Sequence, residues 1–419
     1  MLSRLFRQAA IPREYRSNFL HLYLDIGWYG ILSGSAISFL TIYATRIGAT
    51  GYQIGLLGAL SAAVNLLLAI PAGNWLQKQH TGRAVFWTAV LYRAGYIPLI
   101  FLPQLPNEQA QITAIIVITF LMAIPLTPVG IGFNALFAES VPSEYRAHVA
   151  GMRNITLSIT YMLTSLLSGY ILNTVHFPTG YQIVFVIGAL GGAMSTFHLY
   201  FVRPVQTDSQ MTLVPPQPEK DPVKEAPSPR NLAASLRMDI WKTPFRTVLL
   251  ALFAFHLTQY LPIPIFPIYN VRVLQLTDDN LGIGTALFYL TVLIGSTQIR
   301  KLAQKLGNKN LTGWSVAGLA FYPILLAVST NALHFYGVSL IGGLGFAFIS
   351  GSFANYMLEH IPAHDRPSHL AWYTIILNAS VLIGSLGGPV VADVLGLAAA
   401  LIVFGLLRLV AAIYILKWG

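Results

Sequence analysis

Long apolar stretches recur along the chain and are separated by short polar segments. A helix needs about 20 mostly apolar residues to cross a bilayer, and the sequence contains twelve stretches of this kind. The first six are at 18–45, 52–76, 84–103, 110–138, 148–172 and 180–202. The other six are at 245–270, 280–300, 310–329, 332–357, 368–392 and 396–417. The pattern predicts an all-α membrane protein with twelve transmembrane helices.

A polar, proline-rich segment separates the two sets of spans. Its middle is too polar to form a packed core. Its end places Leu232, Leu236 and Ile240 four residues apart behind Asn231, which predicts a short amphipathic helix, as far as Trp241, on the membrane surface. The predicted domains are an N-terminal six-helix bundle, a cytoplasmic linker and a C-terminal six-helix bundle, at 1–202, 203–244 and 245–419.

Composition and charge support a membrane protein. The chain is 55% hydrophobic and 10% charged, with a mean hydropathy of +0.63, whereas soluble proteins carry about 25% charged residues. Of the 25 Lys and Arg residues, 21 fall on the side that holds both termini, the even-numbered loops and the linker. Because basic residues collect on cytoplasmic loops, we expect both termini in the cytoplasm. The membrane is then expected to be a plasma membrane or a bacterial inner membrane. The net charge of +10 then needs no nucleic-acid partner.

The two sets of spans contain an ordered series of matching motifs. I-Y-x-x-R begins at Ile42 and again at Ile268, an offset of 226, and E-x-x-P-x-x-x-R begins at Glu139 and again at Glu359, an offset of 220. Further matching pairs are Gln53 and Asn280, Gln77 and Gln304, and Pro98 and Pro323. A parallel repeat of six spans predicts two related bundles that rock about a central site.

These features resemble the major facilitator superfamily over essentially the whole chain. That family has a G-x-x-x-D-R/K-x-G-R-K/R loop after spans two and eight, and this chain has Gln77 and Gln304 where the family usually has Asp. The resemblance implies that these loops form a cytoplasmic gate, with a larger share falling to the loop after span four because the acid is missing. The predicted gate residues are Gln77, Lys78, Arg83, Glu139, Arg146, Arg153, Gln304, Lys305, Glu359 and Arg366.

Asp25 is the only acid well inside a predicted span. Since an ionisable group in the membrane is costly, it is a candidate functional residue. His21, Asp25 and Tyr29 follow one another at four-residue steps and share a helix face, which the resemblance turns toward a central cavity lined by spans one, four, seven and ten. Two interpretations stay open: a proton-coupling acid, or a structural ion pair with Arg93 at similar depth.

Polar residues in the other inner spans are weaker candidates for a substrate site. His256, Gln259 and Tyr260 share a face of span seven, just before a cluster of prolines that must disturb the helix. The remaining candidates in spans four and ten are Asn134, Ser352, Asn355 and Tyr356. Arg408 in span twelve is expected to pack or snorkel rather than bind substrate.

We therefore expect secondary active transport of a small solute by alternating access, with proton coupling as an option and with a monomer as the working unit. No G-x-x-x-x-G-K-S/T nucleotide loop occurs. A drug or metabolite efflux pump of the same superfamily is the alternative, although the R-x-x-x-G and G-P-x-x-G-G signatures of such exporters are missing. The alternatives from other functional classes are a membrane-embedded enzyme and a transporter-like sensor. We predict no catalytic residue, cofactor or metal, because His360, His364 and His369 fit a solvated loop better than a metal site.

Overall fold

The computed structural model describes residues 13–205, 237–362 and 365–419, and these ranges are largely helical. The helices of the first half are α1 to α6, at Tyr15–Arg46, Gly51–Leu76, Thr81–Gln104, Glu108–Ser140, Ser143–Thr174 and Thr179–Leu199. Those of the second half are α7 to α12, at Phe245–Val273, Asp278–Ser296, Ile299–Ala327, Ala332–Glu359, Arg366–Leu395 and Leu397–Trp418.

Within the described ranges, eleven helices are long and apolar enough to cross a membrane. The remaining one is α8, which has 19 residues and begins with the charged pair Asp278 and Asp279. It packs against α5 and α10, between two helices of spanning length. The predicted all-α fold of about twelve spans is confirmed.

The helices form two bundles that contact each other through two equivalent helix pairs. In the first half α1 packs on α5 and α6, and α4 packs on α2 and α3. In the second half α9 packs on α10 and α12, and α7 packs on α11 and α12. The halves meet where α2 lies against α11 and where α5 lies against α8. The internal repeat exchanges these two pairs, since α2 corresponds to α8 and α5 to α11.

Matching glycines allow the close approach in both pairs. A Cβ atom on Gly55 would lie 2.1 Å from the Ser385 carbonyl oxygen, and one on Gly282 would lie 2.6 Å from the Ser165 carbonyl oxygen. Gly55 corresponds to Gly282 in the repeat, and Ser165 to Ser385 at the offset of 220. Small residues of this kind let two helix backbones touch within a membrane.

Two of the helices, α7 and α9, are interrupted along their length. Helix α7 stops after Tyr260, near Pro262 and Pro264, and resumes at Ile265 before ending as a π-helix at Tyr269–Val273. Helix α9 begins at Ile299, but a kink at Gly307 divides it, so its apolar part begins within a few residues of the predicted start at 310. Residues 299–306 are a short helical segment. Gly307, with φ of 74°, lets the chain change direction before the apolar part of α9.

The linker is described only at its ends, so the amphipathic helix predicted at Asn231–Trp241 lies mostly outside the described residues. Met238–Lys242 forms a 3₁₀ helix. Ile240 within it is buried in the apolar core of the second bundle, together with Phe245 and Tyr356. This side chain therefore packs against protein rather than against lipid.

Candidate functional site

The loops divide between two ends of the molecule. We call one end the linker face, because it holds the linker and the loops after α2, α4, α8 and α10. The opposite end, with the loops after α1, α3, α5, α7, α9 and α11, is called the clasp face for the contact described next.

Arg46, the last residue of α1, reaches across to the second half. Its Nη2 lies 2.8 Å from Oδ1 of Asp278 and donates to the Leu276 carbonyl at 3.0 Å. Tyr181 of α6 donates its hydroxyl hydrogen to the same Asp278 oxygen at 3.0 Å. Asp278 thus accepts hydrogen bonds from two helices of the first half.

Arg272, near the end of α7, makes the reverse contact. Its Nη2 donates to the carbonyls of Thr45 and Ala49 in the first half, at 3.2 and 2.7 Å. Arg46 corresponds to Arg272 in the repeat, and Ala49 corresponds to Leu276. Each arginine therefore binds the matching loop backbone of the other half, and we call these contacts the arginine clasp.

The clasp is not fully symmetric, because its acid occurs on one side only. The position that matches Asp278 in the first half is Gly51. A cavity of about 790 Å³ opens at this face and is lined by Arg46, Arg272, Tyr181 and Asp278 among others. The Arg46 side chain keeps 26% of its surface exposed, so water reaches the ion pair from the clasp face.

At the linker face the predicted gate residues pair within their own half. Glu139 accepts a hydrogen bond from Thr81 at 3.1 Å, and its counterpart Glu359 accepts one from Asn308 at 2.6 Å. Arg146 donates to the carbonyls at the end of its own helix pair, at 2.7 and 3.0 Å. The other predicted gate side chains at this face are exposed, namely Gln77, Lys78, Arg83, Gln304, Lys305 and Arg366.

Asp25 lies inside the first bundle, where four helices meet. It is 2% exposed and accepts a hydrogen bond from Ser195 Oγ at 2.6 Å. Arg93 of α3 lies 3.4 Å from one carboxylate oxygen, and Arg153 of α5 lies 3.2 Å from the other. The ion pair with Arg93 is present, and we call these four residues the Asp25 cluster.

Sequence reasoning missed the second arginine of this cluster. Arg153 was assigned to the linker-face gate, but it is 9% exposed and donates to the Leu22 carbonyl at 2.7 Å. Its guanidinium carbon lies 4.6 Å from the centre of the Phe133 ring. The available signal was its position inside the predicted span 148–172, where a lone charge needs a partner.

An aromatic group lies between the Asp25 cluster and the second half. The Arg93 guanidinium carbon is 5.7 Å from the centre of the Tyr29 ring, and Tyr29 lies beside Tyr92 and Tyr161. The Tyr161 ring stacks on that of Tyr289 in α8, with centroids 3.9 Å apart. The stacked rings of Tyr161 and Tyr289 therefore cross the contact between the halves, and Tyr161 lies near Tyr29.

His21 does not join this cluster. Its Nδ1 lies 3.0 Å from Nδ1 of His198, and its ring stacks on Phe201 at 4.8 Å. The four-residue spacing places His21 on the same helix face as Asp25, but His21 lies one turn nearer the linker face and contacts other side chains there.

In the second half the three candidates of α7 lie together. His256 packs among Phe353, Tyr260 and Tyr373, with its Nε2 at 3.4 Å from the Tyr373 hydroxyl. The amide oxygen of Gln259 is buried without a hydrogen-bond partner. His256 therefore lies in an aromatic cluster contributed by α7, α10 and α11.

The candidates in α4 and α10 are scattered. Tyr356 is 0% exposed within the second bundle, and Ser352 bonds to Thr312 of α9 at 3.0 Å. Asn134 and Asn355 are exposed, and Asn134 donates to Gly130 of its own helix at 3.1 Å.

A second cavity, of about 220 Å³, lies between α1 and the second bundle. Its polar lining comes from Ser38, Thr41, Asn270, Thr285 and Ser339, and its apolar lining includes aromatic rings of α7 to α10. Asn270 is 7% exposed, and its amide oxygen has no hydrogen-bond partner. The cavity has the mixed lining of a small-molecule site, below the arginine clasp.

The sequence model of the Major Facilitator Superfamily matches residues 26–276 and 248–419. The chain belongs to this superfamily. Among curated relatives, the staphyloferrin B transporter of Staphylococcus aureus (strain NCTC 8325 / PS 47) is 30% identical over 185 residues, which cover 43% of this chain and 44% of that protein. The cis,cis-muconate transport protein of Acinetobacter baylyi (strain ATCC 33305 / BD413 / ADP1) is 21% identical over 291 residues, or 68% of this chain and 65% of the relative. The quinolone resistance protein NorA of Staphylococcus aureus (strain Mu50 / ATCC 700699) is 26% identical over 134 residues, or 32% and 34% of the two chains.

Solved structures of superfamily members share the fold over nearly the whole chain. The D-xylose-proton symporter matches with a TM-score of 0.70 and 14% identity, over 96% of this chain and 97% of the other. The nucleoside transporter NupG matches with a TM-score of 0.67 and 14% identity, over 96% and 98%. The curated relatives are matched over less than two thirds of their own length. The comparisons therefore show the shared fold and do not assign a substrate to this chain.

Proposed function

We propose that this superfamily member is a secondary transporter that carries a small solute across the membrane by alternating access. The observation that carries the proposal is the one-sided joining of the halves. At the clasp face Arg46 and Arg272 bind the opposite half, whereas at the linker face Glu139 and Glu359 bind their own. Two bundles closed at one end around a central site are what a rocking transporter requires.

We place the linker face in the cytoplasm, since 21 of the 25 basic residues fall on that side. The conformation is then inward-facing, with the arginine clasp as the outer gate. The predicted gate residues of the linker face would form cross-half contacts in the opposite, outward-facing state.

We further infer that Asp25 holds the two buried arginines in place rather than carrying a transported proton. Its carboxylate contacts Arg93, Arg153 and Ser195 inside the first bundle. A buried charge without its partner is strongly destabilising, so this acid has a structural task whatever drives transport. The acid of the clasp, Asp278, lines the cavity that opens at the clasp face and is the better candidate for proton linkage.

A disulfide between the halves provides the decisive test. A Cβ atom on Gly58 would lie 3.6 Å from the Ser385 Cβ, which fits disulfide geometry. The chain has no Cys, so Gly58→Cys with Ser385→Cys introduces a unique pair that links α2 to α11. Proteoliposomes holding the protein would be assayed for saturable flux of cis,cis-muconate, D-xylose, a nucleoside and a quinolone.

Oxidation of the double variant should abolish flux and reduction should restore it, while each single-cysteine variant keeps its flux in oxidant. A separate Asn270→Cys variant reports on gate opening, because this buried site should react with an impermeant maleimide from the clasp face only when the clasp opens. Flux that persists after complete cross-linking contradicts the proposal. The proposal is also contradicted if none of the four solutes shows saturable flux and position 270 is not labelled.

A further inference from the structure

Arg408 lies in the apolar interior of the second bundle. It is 1% exposed, and its guanidinium reaches two other helices. Nη1 donates to the Leu319 carbonyl of α9 at 3.0 Å, and Nη2 donates to the Thr258 carbonyl of α7 at 2.7 Å. Both acceptors of this buried cation are therefore backbone oxygens.

These two carbonyls are the ones that proline leaves without their helical donor. In an α-helix a carbonyl accepts from the N–H four residues later. Four residues after Thr258 stands Pro262, and four residues after Leu319 stands Pro323. Because proline has no N–H, neither carbonyl has its usual partner, and an unpaired polar group inside a membrane costs several kcal/mol.

In the first half the proline that matches Pro323 leaves a carbonyl that no arginine of the described ranges reaches, and the helix ends there. Pro98 corresponds to Pro323, yet the α-helical part of α3 ends at Ala94, and the Ala94 carbonyl accepts from the Ile97 N–H at 3.0 Å as the chain turns. In α9 the helix continues past Pro323 as far as Ala327. The external donor on Leu319 accounts for this difference, since the helix need not unwind to satisfy the carbonyl.

Close packing of α12 on α9 brings the guanidinium within reach. A Cβ atom on Gly405 would lie 2.3 Å from the Ile324 side chain and 2.9 Å from the Ala320 carbonyl oxygen. Gly405 lies one turn before Arg408, so the two helices touch beside the proline of α9.

We propose that Arg408 is a positioning residue that replaces the two hydrogen-bond donors removed by Pro262 and Pro323, and so fixes the break in α7. The segment of α7 beyond that break carries Arg272 of the clasp. A single guanidinium thus holds α7, α9 and α12 at one point. The inference stands on the second bundle alone and does not depend on a transported solute.

The test is whether restoring the missing N–H groups compensates for loss of the arginine. Arg408→Met, Arg408→Lys and wild type would be purified as full chains in detergent and compared by thermal unfolding. We expect a lower melting temperature for Arg408→Met and an intermediate one for Arg408→Lys, because one ammonium cannot match the fork geometry of guanidinium. Adding Pro323→Ala or Pro262→Ala to Arg408→Met should recover part of the loss, since alanine supplies the helical donor.

Pro71→Ala is the matched control, because Pro71 lies inside α2 of the other bundle. It should not recover stability in the Arg408→Met background. If Arg408→Met yields little folded protein, the same comparison is made on the monodisperse yield, which Pro323→Ala should raise and Pro71→Ala should not. The proposal is overturned if Arg408→Met is as stable as wild type, or if Pro71→Ala rescues it as well as the other two prolines do.

Discussion

Arg46 and Arg272 lie on opposite halves and each donates to the loop backbone of the other, at 3.0 Å on Leu276 and 2.7 Å on Ala49. The contact is reciprocal because the two arginines are equivalent in the internal repeat. Asp278 adds a charge to one side of this arrangement, so a change in that one charge should alter the strength of the clasp.

Asp278→Asn should weaken the clasp. The amide keeps a hydrogen-bond acceptor for Tyr181 but removes the charge that Arg46 pairs with at 2.8 Å. We expect faster maleimide labelling of Asn270→Cys from the clasp face. Asp279→Asn is the control, since Asp279 accepts from Thr277 and makes no bond to Arg46. Equal labelling rates in the two variants would show that the Arg46–Asp278 ion pair does not hold the clasp closed.

Acidification on the clasp side should have the same effect as this substitution. Protonation neutralises the Asp278 carboxylate, so Arg46 loses its charged partner while the Arg272 contacts with carbonyls persist. Because the thiolate is the reactive form of cysteine and becomes scarcer in acid, each rate is divided by that of the unfolded protein at the same pH. This ratio for position 270 should rise as the pH falls through the carboxylate range. In Asp278→Asn the ratio should not change with pH over that range, and a pH response that survives the substitution would assign the linkage to another group.

Asp25→Asn should destabilise the first bundle, because it leaves two buried guanidinium groups without their carboxylate. Breaking a buried ion pair costs about 3–5 kcal/mol, so we expect a clear fall in the melting temperature. Ser195→Ala removes one hydrogen bond and should cost about 1 kcal/mol. Combining Asp25→Asn with Arg93→Met should recover stability, since one of the uncompensated charges is removed. An Asp25→Asn protein that keeps its stability but loses proton-linked flux would favour the coupling role instead.

Gly55→Ala should separate the halves at the clasp face. Its new methyl group would lie 2.1 Å from the Ser385 carbonyl oxygen, so α2 must move away from α11. The disulfide yield of the cysteine pair at 58 and 385 should fall several-fold. Gly73→Ala, on the same helix but with nothing within 4 Å, should leave the yield unchanged, and a similar loss there would indicate a general effect of alanine.

Glu139→Gln should leave this conformation, which is closed at the clasp face, intact. Its side-chain oxygen still accepts from Thr81, a contact within one half. If Glu139 belongs to the gate of the outward-facing state, flux should fall while the melting temperature stays unchanged. Unchanged flux would remove Glu139 from the gate.

Hydropathy and the repeat predicted the fold well because both can be read without knowing any contact between helices. The helical segment at 299–306 was not predicted, since it is amphipathic and a kink at Gly307, with φ of 74°, separates it from the apolar part of α9.

The sites were predicted less well because they depend on contacts between helices. Similar depth made an Asp25–Arg93 pair one of two open interpretations, but Arg153 comes from α5 and lies over the Phe133 ring, which depth does not reveal. The repeat matches Arg46 with Arg272, yet neither the repeat nor a count of charges shows that each binds the other half.

The reciprocal arginine contacts also bear on how the chain arose. Two copies of a six-helix ancestor, associated about a twofold axis, would form both contacts, since neither requires a residue that the halves do not share. Asp278 stands where the other half has Gly51, so it departs from that symmetry. In this interpretation the clasp keeps both contacts of the symmetric pair and adds one carboxylate that only the second half carries.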